Sequence, residues 1–220
     1  NNNLGLLGIF FKWCVERGYL KNNPTEGITK KRKQPKVRQV LDTDVKNKLK
    51  LYGGENTAFY VACMLTYYCY IRTTEMTKIK VEDVRLFDGY IILHGCNTKN
   101  KKDESVTIPN QLVELLSNHL AKANNSDYLF SYDNFAPGSK QLTTKKVTNK
   151  WNDFRTKNKV ADIYQFYSLK DTGITDLLNS GVPAIKVRDQ ARHYDLKITE
   201  GYTARNTTCD ETVRNALISF

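Results

Sequence analysis

The sequence predicts a mainly α-helical α+β domain with one small antiparallel sheet. Apolar residues recur at helical spacing through most of the chain, whereas β-forming runs are confined to positions 84–108, with Asp88-Gly89 as a hairpin turn. No strand–helix alternation of the kind that builds a parallel sheet is present, and no glycine-rich phosphate loop, internal repeat or low-complexity tract. A length of 220 residues suits one good-sized domain plus a fragment of another.

Leu4 to Tyr19 reads as a helix with Leu6, Leu7, Phe10, Phe11, Cys14 and Val15 as its apolar positions, stopped by Gly18 and a turn at Asn23-Pro24. So apolar a stripe needs partners, and together with the abrupt Asn-Asn-Asn start it gives the expectation that residues 1–28 are the end of an N-terminal domain. Residues 29–40 form a basic linker around Thr29-Lys-Lys-Arg-Lys-Gln-Pro-Lys-Val-Arg38. Lys31, Arg32 and Lys33 there suit either a solvated linker or a strap on phosphates, since counterion release rewards clustered cations. The main domain is expected over 41–220. Asp42-Thr43-Asp44 caps a helix to about Leu51. Glu55 to Tyr70 is an apolar helix carrying Phe59, Ala62, Met64, Leu65 and Cys69, and Thr74 to Lys80 a short one. Val84 to His94 and Glu104 to Ile108 are strand-like. Pro109 leads into a helix from Gln111 to Ala121 with Leu112, Leu115, Leu116 and Leu120 on one face. Further helices are predicted at Thr143–Asn158, Ser168–Ser180, Pro183–Gln190, around Leu196–Thr203 and at the C-terminus.

The charge balance narrows the partner. Lys and Arg number 34 against 23 acidic residues, a net charge of +11. So basic a chain favours nucleic acid. The charge is spread from Lys30 to Arg205, without a basic amphipathic helix, and no apolar run reaches membrane-spanning length, so a membrane partner is not expected. The five cysteines lack a Cys-x-x-Cys pair, and Cys14, Cys63 and Cys69 fall on apolar helical positions, which points to a reducing, cytoplasmic setting without disulfides. His94, His119 and His193 have no metal-ligand spacing, and no Ser-His-Asp signature stands out.

Four local constellations carry chemistry. Ser168-Leu-Lys170-Asp171 reads as a capping-box start, placing Lys170 in the first turn and Tyr167 just outside it. Free N–H groups and the helix dipole favour a phosphate there, although a solvated first-turn lysine has the same sequence. Arg72 follows an apolar helix and has Glu75 three residues on. That carboxylate either satisfies the guanidinium or orients it towards a phosphate. Lys99, Lys101 and Lys102 sit on a hairpin tip, which is either a soluble turn or a probe for a DNA groove. Tyr202 is one of 13 tyrosines, but Arg192, His193, Lys197 and Arg205 surround it in sequence. A phenol needs such positive surroundings and a proton acceptor to act as a nucleophile near neutral pH.

The order of these pieces resembles the tyrosine recombinase (phage integrase) family. An Arg followed three residues later by Glu matches Arg72 and Glu75, and a β-hairpin lysine before a Val-x-x-Pro strand matches Lys99 and Val106-Thr-Ile-Pro109. The family's His-x-x-Arg box, followed by Gly-Val, corresponds to Tyr167-x-x-Lys170 before Gly181-Val182. Its Gly-His, nine residues before the nucleophilic Tyr, corresponds to Arg192-His193 and Tyr202. The segment from Phe11 to Pro24 is similar to the last helix of the family's core-binding domain. Two positions depart from the pattern: Tyr167 and Lys170 replace His and Arg, and Arg192 replaces Gly.

The resemblance implies a site-specific recombinase that cleaves and rejoins double-stranded DNA through a 3′-phosphotyrosine on Tyr202, without a metal or other cofactor. Arg72 and Lys170 are then expected to neutralise the phosphate, aided by Tyr167 and His193, with Lys99 protonating the leaving oxygen and Glu75 in support. Lys31, Arg32, Lys33, Lys101, Lys102, Lys145, Lys146 and Arg192 are the expected DNA contacts. The partners implied are duplex DNA and further copies of the chain, in a tetramer on paired sites. The setting implied is a bacterial or phage nucleoid and a mobile genetic element. A catalytically impaired DNA-binding member of the fold and a type IB topoisomerase-like enzyme are the alternatives. The C-terminal segment Thr208-Cys-Asp-Glu211 reads as a capping box for a helix that docks on a neighbouring protomer.

Overall fold

The computed structural model describes residues 2–29, 31, 39–98 and 101–203. The chain forms two compact units, Asn1–Val37 and Arg38–Phe220. In the first, helix α1 spans Asn2–Glu16 and gives way to Gly18, whose φ of 75° suits glycine. Asn23 folds the following turn back by donating to the Gly8 carbonyl and accepting from Thr25 N–H. Leu6, Leu7, Ile9, Phe10 and Trp13 are exposed.

In the second unit, α2 (Thr43–Glu55) starts as its sequence dictates, with Asp42 accepting from Val45 N–H at 2.8 Å. Helix α3 (Thr57–Cys69) ends at Tyr70 in the left-handed conformation, and α4 (Thr73–Met76) follows at once. The expected helix to Lys80 stops at Met76. Ile79 is instead buried, its carbonyl accepts from Leu129 N–H at 2.8 Å, and Lys80 bridges Tyr128. Strands β1 (Val84–Arg85), β2 (Tyr90–Leu93) and β3 (Glu104–Thr107) form an antiparallel sheet in the order β1-β2-β3, with Ile91 paired to both Val84 and Val106. Gly89, with φ 76°, makes the β1–β2 turn. Helices α5 (Asn110–Leu120), α6 (Thr144–Asn158), α7 (Ser168–Asn179), α8 (Ala184–Ala191) and α9 (Leu196–Glu200) complete the unit. The mainly helical α+β architecture with one small antiparallel sheet is therefore observed.

Two apolar clusters organise these elements. The larger joins α2, α3, α5 and α6 to the sheet around Phe59, Leu65, Phe130, Phe135, Trp151 and Phe154. The smaller contains Tyr70, Ile174, Val187 and Ala191, with Tyr202 packed against it. Helices α3 and α7 approach so closely that a Cβ on Gly173 would lie 1.9 Å from the Tyr67 carbonyl oxygen. Gln190 ties α8 to the sheet by bonding both the N–H and the carbonyl of Thr107. Among the described residues, no helix is long and apolar enough to cross a membrane.

Candidate active site

The smaller cluster forms the floor of a charged site. Tyr70 adopts φ 56° at the end of α3, which turns the chain sharply before Arg72. Its hydroxyl is anchored on the Gly173 carbonyl, and its own carbonyl oxygen accepts from Lys170 Nζ at 2.9 Å. The Lys170 ammonium also donates to the Ala191 carbonyl at 3.3 Å. Lys170 is thus not a solvated first-turn residue: it is 1 % exposed and bridges the ends of α3 and α8. Burial, then repulsion from Arg72 and Arg192, pushes its pKa from 10.5 down to about 7.

Glu75 gathers the two guanidinium groups. Its carboxylate accepts from Arg72 N–H at 2.9 Å and Arg72 Nη1 at 2.7 Å, and from Arg192 Nη2 at 2.7 Å. Burial works to raise the Glu75 pKa, but Arg192 first and Arg72 next outweigh it and hold the carboxyl below its usual range. Arg192 Nη1 also reaches Glu104 on β3 at 3.3 Å.

The expectation that Arg192 contacts DNA from the surface is corrected. Its side chain is 3 % exposed and ion-paired with Glu75 and Glu104. The cause is local backbone: Arg192 ends α8 with φ 54°, and from that left-handed position its side chain turns inward. A non-glycine residue there carries strain, offset here by the buried ion pair.

His193 follows directly, with Nδ1 2.9 Å from Thr199 Oγ1. Its ring stacks on Tyr202, with centroids 6.0 Å apart and planes 12° apart. The Tyr202 hydroxyl donates to Asp171 Oδ1 at 2.8 Å. The capping box expected at Ser168–Asp171 is therefore absent. Tyr167 is the first flanking residue of α7 and makes no side-chain cap, Ser168 Oγ accepts from Gln165 N–H instead, and the Asp171 carboxylate serves Tyr202.

The structure thus brings together Arg72, Glu75, Lys170, Arg192, His193 and Tyr202 through a connected set of bonds and ring contacts. Tyr167 joins through its main chain, its carbonyl accepting from the N–H groups of Lys170 and Asp171, while its side chain is on the exposed side. Asp171 and Glu104 take part although the sequence argument assigned them no role in the site. The only sequence signal for Asp171 was the capping pattern, and Glu104 gave none.

Lys99 lies outside the described residues, as do Arg32, Lys33 and the expected helix after Thr208. On the hairpin tip Lys101 and Lys102 are exposed, and Lys101 takes φ 54°. Lys31 is exposed in the first unit. Away from the site, Lys145 and Lys146 open α6 beside its cap Thr143. Lys145 is exposed, whereas Lys146 lies 3.8 Å above the Tyr132 ring and donates to the Tyr132 carbonyl. Among the described residues, no group of His, Cys, Asp and Glu is placed to hold a metal ion.

Comparison with known proteins gives this arrangement its context. The chain is 28 % identical over 202 residues to a tyrosine recombinase of Pseudothermotoga lettingae, covering 88 % of this chain and 65 % of that protein. It is 22 % identical over 194 residues to tyrosine recombinase XerA of Pyrococcus furiosus, covering 85 % and 66 %. The chain therefore spans about two-thirds of the length of these relatives. Among solved structures it shares its fold with the Tn1549 transposon integrase in complex with a circular intermediate DNA, at a TM-score of 0.76 and 14 % identity over 97 % of this chain and 76 % of that one. A lambda integrase dimer bound to a COC′ core site has a TM-score of 0.70 and 14 % identity, covering 89 % and 71 %. The profile of the phage integrase family matches residues 34–208, most of the chain, and on that match the chain belongs to this family of tyrosine recombinases.

Proposed function

We propose that the chain cleaves and rejoins the strands of double-stranded DNA as a site-specific recombinase, with Tyr202 as nucleophile. The observation that carries this reading is the setting of Tyr202. Its ring is stacked on His193 and its hydroxyl is bonded to a carboxylate next to Lys170. Tyr202 attacks a backbone phosphorus, forms a 3′-phosphotyrosine and releases a 5′-hydroxyl, and a 5′-hydroxyl of a partner strand reverses the step. Phosphoryl transfer of this kind depends mostly on positioning and charge neutralisation. Arg72, held from two sides by Glu75, is the first phosphate ligand, and Lys170 supplies a second positive charge from below. His193 assists at the phosphate, and Lys99 is assigned the proton donor to the leaving oxygen, as in the family pattern. The substrate class is supported by the net charge of +11 and by relatives solved on DNA. Assembly of several copies on paired DNA sites follows from the same reading.

A second reading, a DNA-binding member with impaired chemistry, is favoured by one observation: Lys170 spends its ammonium on two carbonyl oxygens. One experiment separates the two. The intact protein is incubated with a pool of nicked duplexes of randomised sequence, and covalent adducts are read on a denaturing gel. An adduct in the parental protein that disappears in Tyr202→Phe, with DNA binding kept, supports the recombinase reading. Binding without any adduct supports the impaired one.

A further inference from the structure

We infer that Asp171 is the proton acceptor for Tyr202 during strand cleavage and the donor that returns the proton on rejoining. The inference rests on the reading of Tyr202 as nucleophile and adds the group that activates it. A phenol is a weak nucleophile while protonated, so the site needs a base within hydrogen-bond reach of its oxygen. Asp171 Oδ1 lies 2.8 Å from the Tyr202 hydroxyl, which donates to it.

Three features separate this pair from the other tyrosine–aspartate contacts of the chain. Tyr52–Asp153, Tyr67–Asp176 and Tyr164–Asp42 also hydrogen-bond, at 2.8, 2.5 and 3.1 Å. Asp153 and Asp176 are 40 % and 32 % exposed and ion-paired with lysines, and Asp42 caps α2 on the surface. Asp171 is only 5 % exposed. It follows Lys170 in the first turn of α7, beside the other cations of the site. Both partners are also fixed. Asp171 is held by its N–H bond to the Tyr167 carbonyl, and Tyr202 by its N–H bond to Thr199 and the ring of His193. A carboxylate whose sequence suits a helix cap has been turned to the one side chain expected to attack phosphorus.

The step balances without a further reagent beyond water. As the Tyr202 oxygen–phosphorus bond forms, its O–H bond breaks and the proton passes to Asp171. The phosphorus–O5′ bond breaks, and the leaving oxygen takes a proton from the site's acid or from solvent. In rejoining, a 5′-hydroxyl attacks phosphorus, Tyr202 leaves as phenolate, and Asp171 returns the proton. The charged and titratable groups around this pair are Lys170 on α7, Arg72 and Glu75 from α4, Tyr70 from α3, and Arg192 and His193 after α8.

The test compares single-turnover adduct formation by the intact parental protein with Asp171→Asn, and with Asp171→Ser should the first variant fail to fold by circular dichroism. Nicked duplexes selected from a randomised pool are the probe, at several pH values from 7 to 9.5. Cleavage at pH 7.5 is expected to fall about 100-fold or more, the usual contribution of a positioned general base. The deficit is expected to narrow as pH rises towards the value of a free phenol, near 10, because hydroxide then replaces the missing base. Undiminished or faster cleavage, or a deficit of the same size at every pH, would overturn the inference and leave Asp171 a structural tie. Absence of an adduct from the parental protein at every pH would remove the Tyr202 reading itself, and this inference with it.

Discussion

Lys170 Nζ donates to the Tyr70 carbonyl oxygen across 100 positions of sequence, which ties the start of α7 to the turn that presents Arg72. The lysine is therefore both a charge near the proposed phosphate site and a brace for the first arginine box. Replacing it removes two functions at once.

This burial gives the stability of the fold a pH dependence. Lys170 has a pKa near 7 when folded and its ordinary 10.5 when unfolded. Between these values the unfolded chain binds more protons, so stability rises as pH increases through that window. The penalty is fully present below pH 7. Urea midpoints are expected to climb more between pH 7 and 9 for the parental protein than for Lys170→Met. Parallel slopes would show that Lys170 does not titrate in this window. Cleavage by Lys170→Met is expected to fall by roughly two to three orders of magnitude, the typical loss on removing one transition-state donor.

Glu75 is the hub of the site, and its loss leaves two guanidinium groups without their shared partner. Both Glu75 and Arg192 side chains are at most 3 % exposed. Breaking a buried pair from one side costs about 3–5 kcal/mol. Glu75→Gln is expected to lose about that much in urea denaturation. Arg192→Gly offers the complementary measurement, since glycine suits φ 54° but abandons the ion pair. A net loss of stability is expected. A gain would show that backbone strain outweighs the pair.

Gly173→Ala tests the contact between α3 and α7. The added methyl would meet the Tyr67 carbonyl oxygen at 1.9 Å, against backbone that cannot rotate away. Overpacking of this kind costs roughly 3 kcal/mol. Because α7 carries Lys170 and Asp171, any folded fraction is expected to cleave more slowly too. Parental stability in a denaturation curve would contradict the close approach.

DNA affinity is expected to fall steeply with salt. Each phosphate contact neutralised contributes about 0.9 to the log–log slope. Lys145→Gln, at the exposed start of α6, is expected to lower that slope by about one contact. Lys146→Gln is expected to do the same and also to release the Tyr132 loop that Lys146 holds. An unchanged slope in Lys145→Gln would place the DNA elsewhere.

The sequence by itself determined the helices of the main unit and the hairpin, because the forces that form them act over a few residues. Asp42 caps α2 through a bond three positions away, and Gly89 turns the hairpin through its own φ. The apolar spacing of α3 and α5 likewise specifies which faces are buried. The family was also legible, since it rests on residue types and intervals. Tertiary structure decided the rest. The bridges from Lys80 to Tyr128 and from Ser131 to Gln141 join segments with no periodic pattern. Lys170 reads identically whether solvated or buried until α3 and α8 supply carbonyl oxygens 100 and 21 positions away. Arg192 reads as a surface cation until Glu75, 117 positions distant, draws it inward. Asp171 reads as a cap until Tyr202, 31 positions on, folds back over α7 and takes its carboxylate. In each case the local sequence permits two partners for one polar group, and only the packing of distant elements removes water from one of them and selects the other.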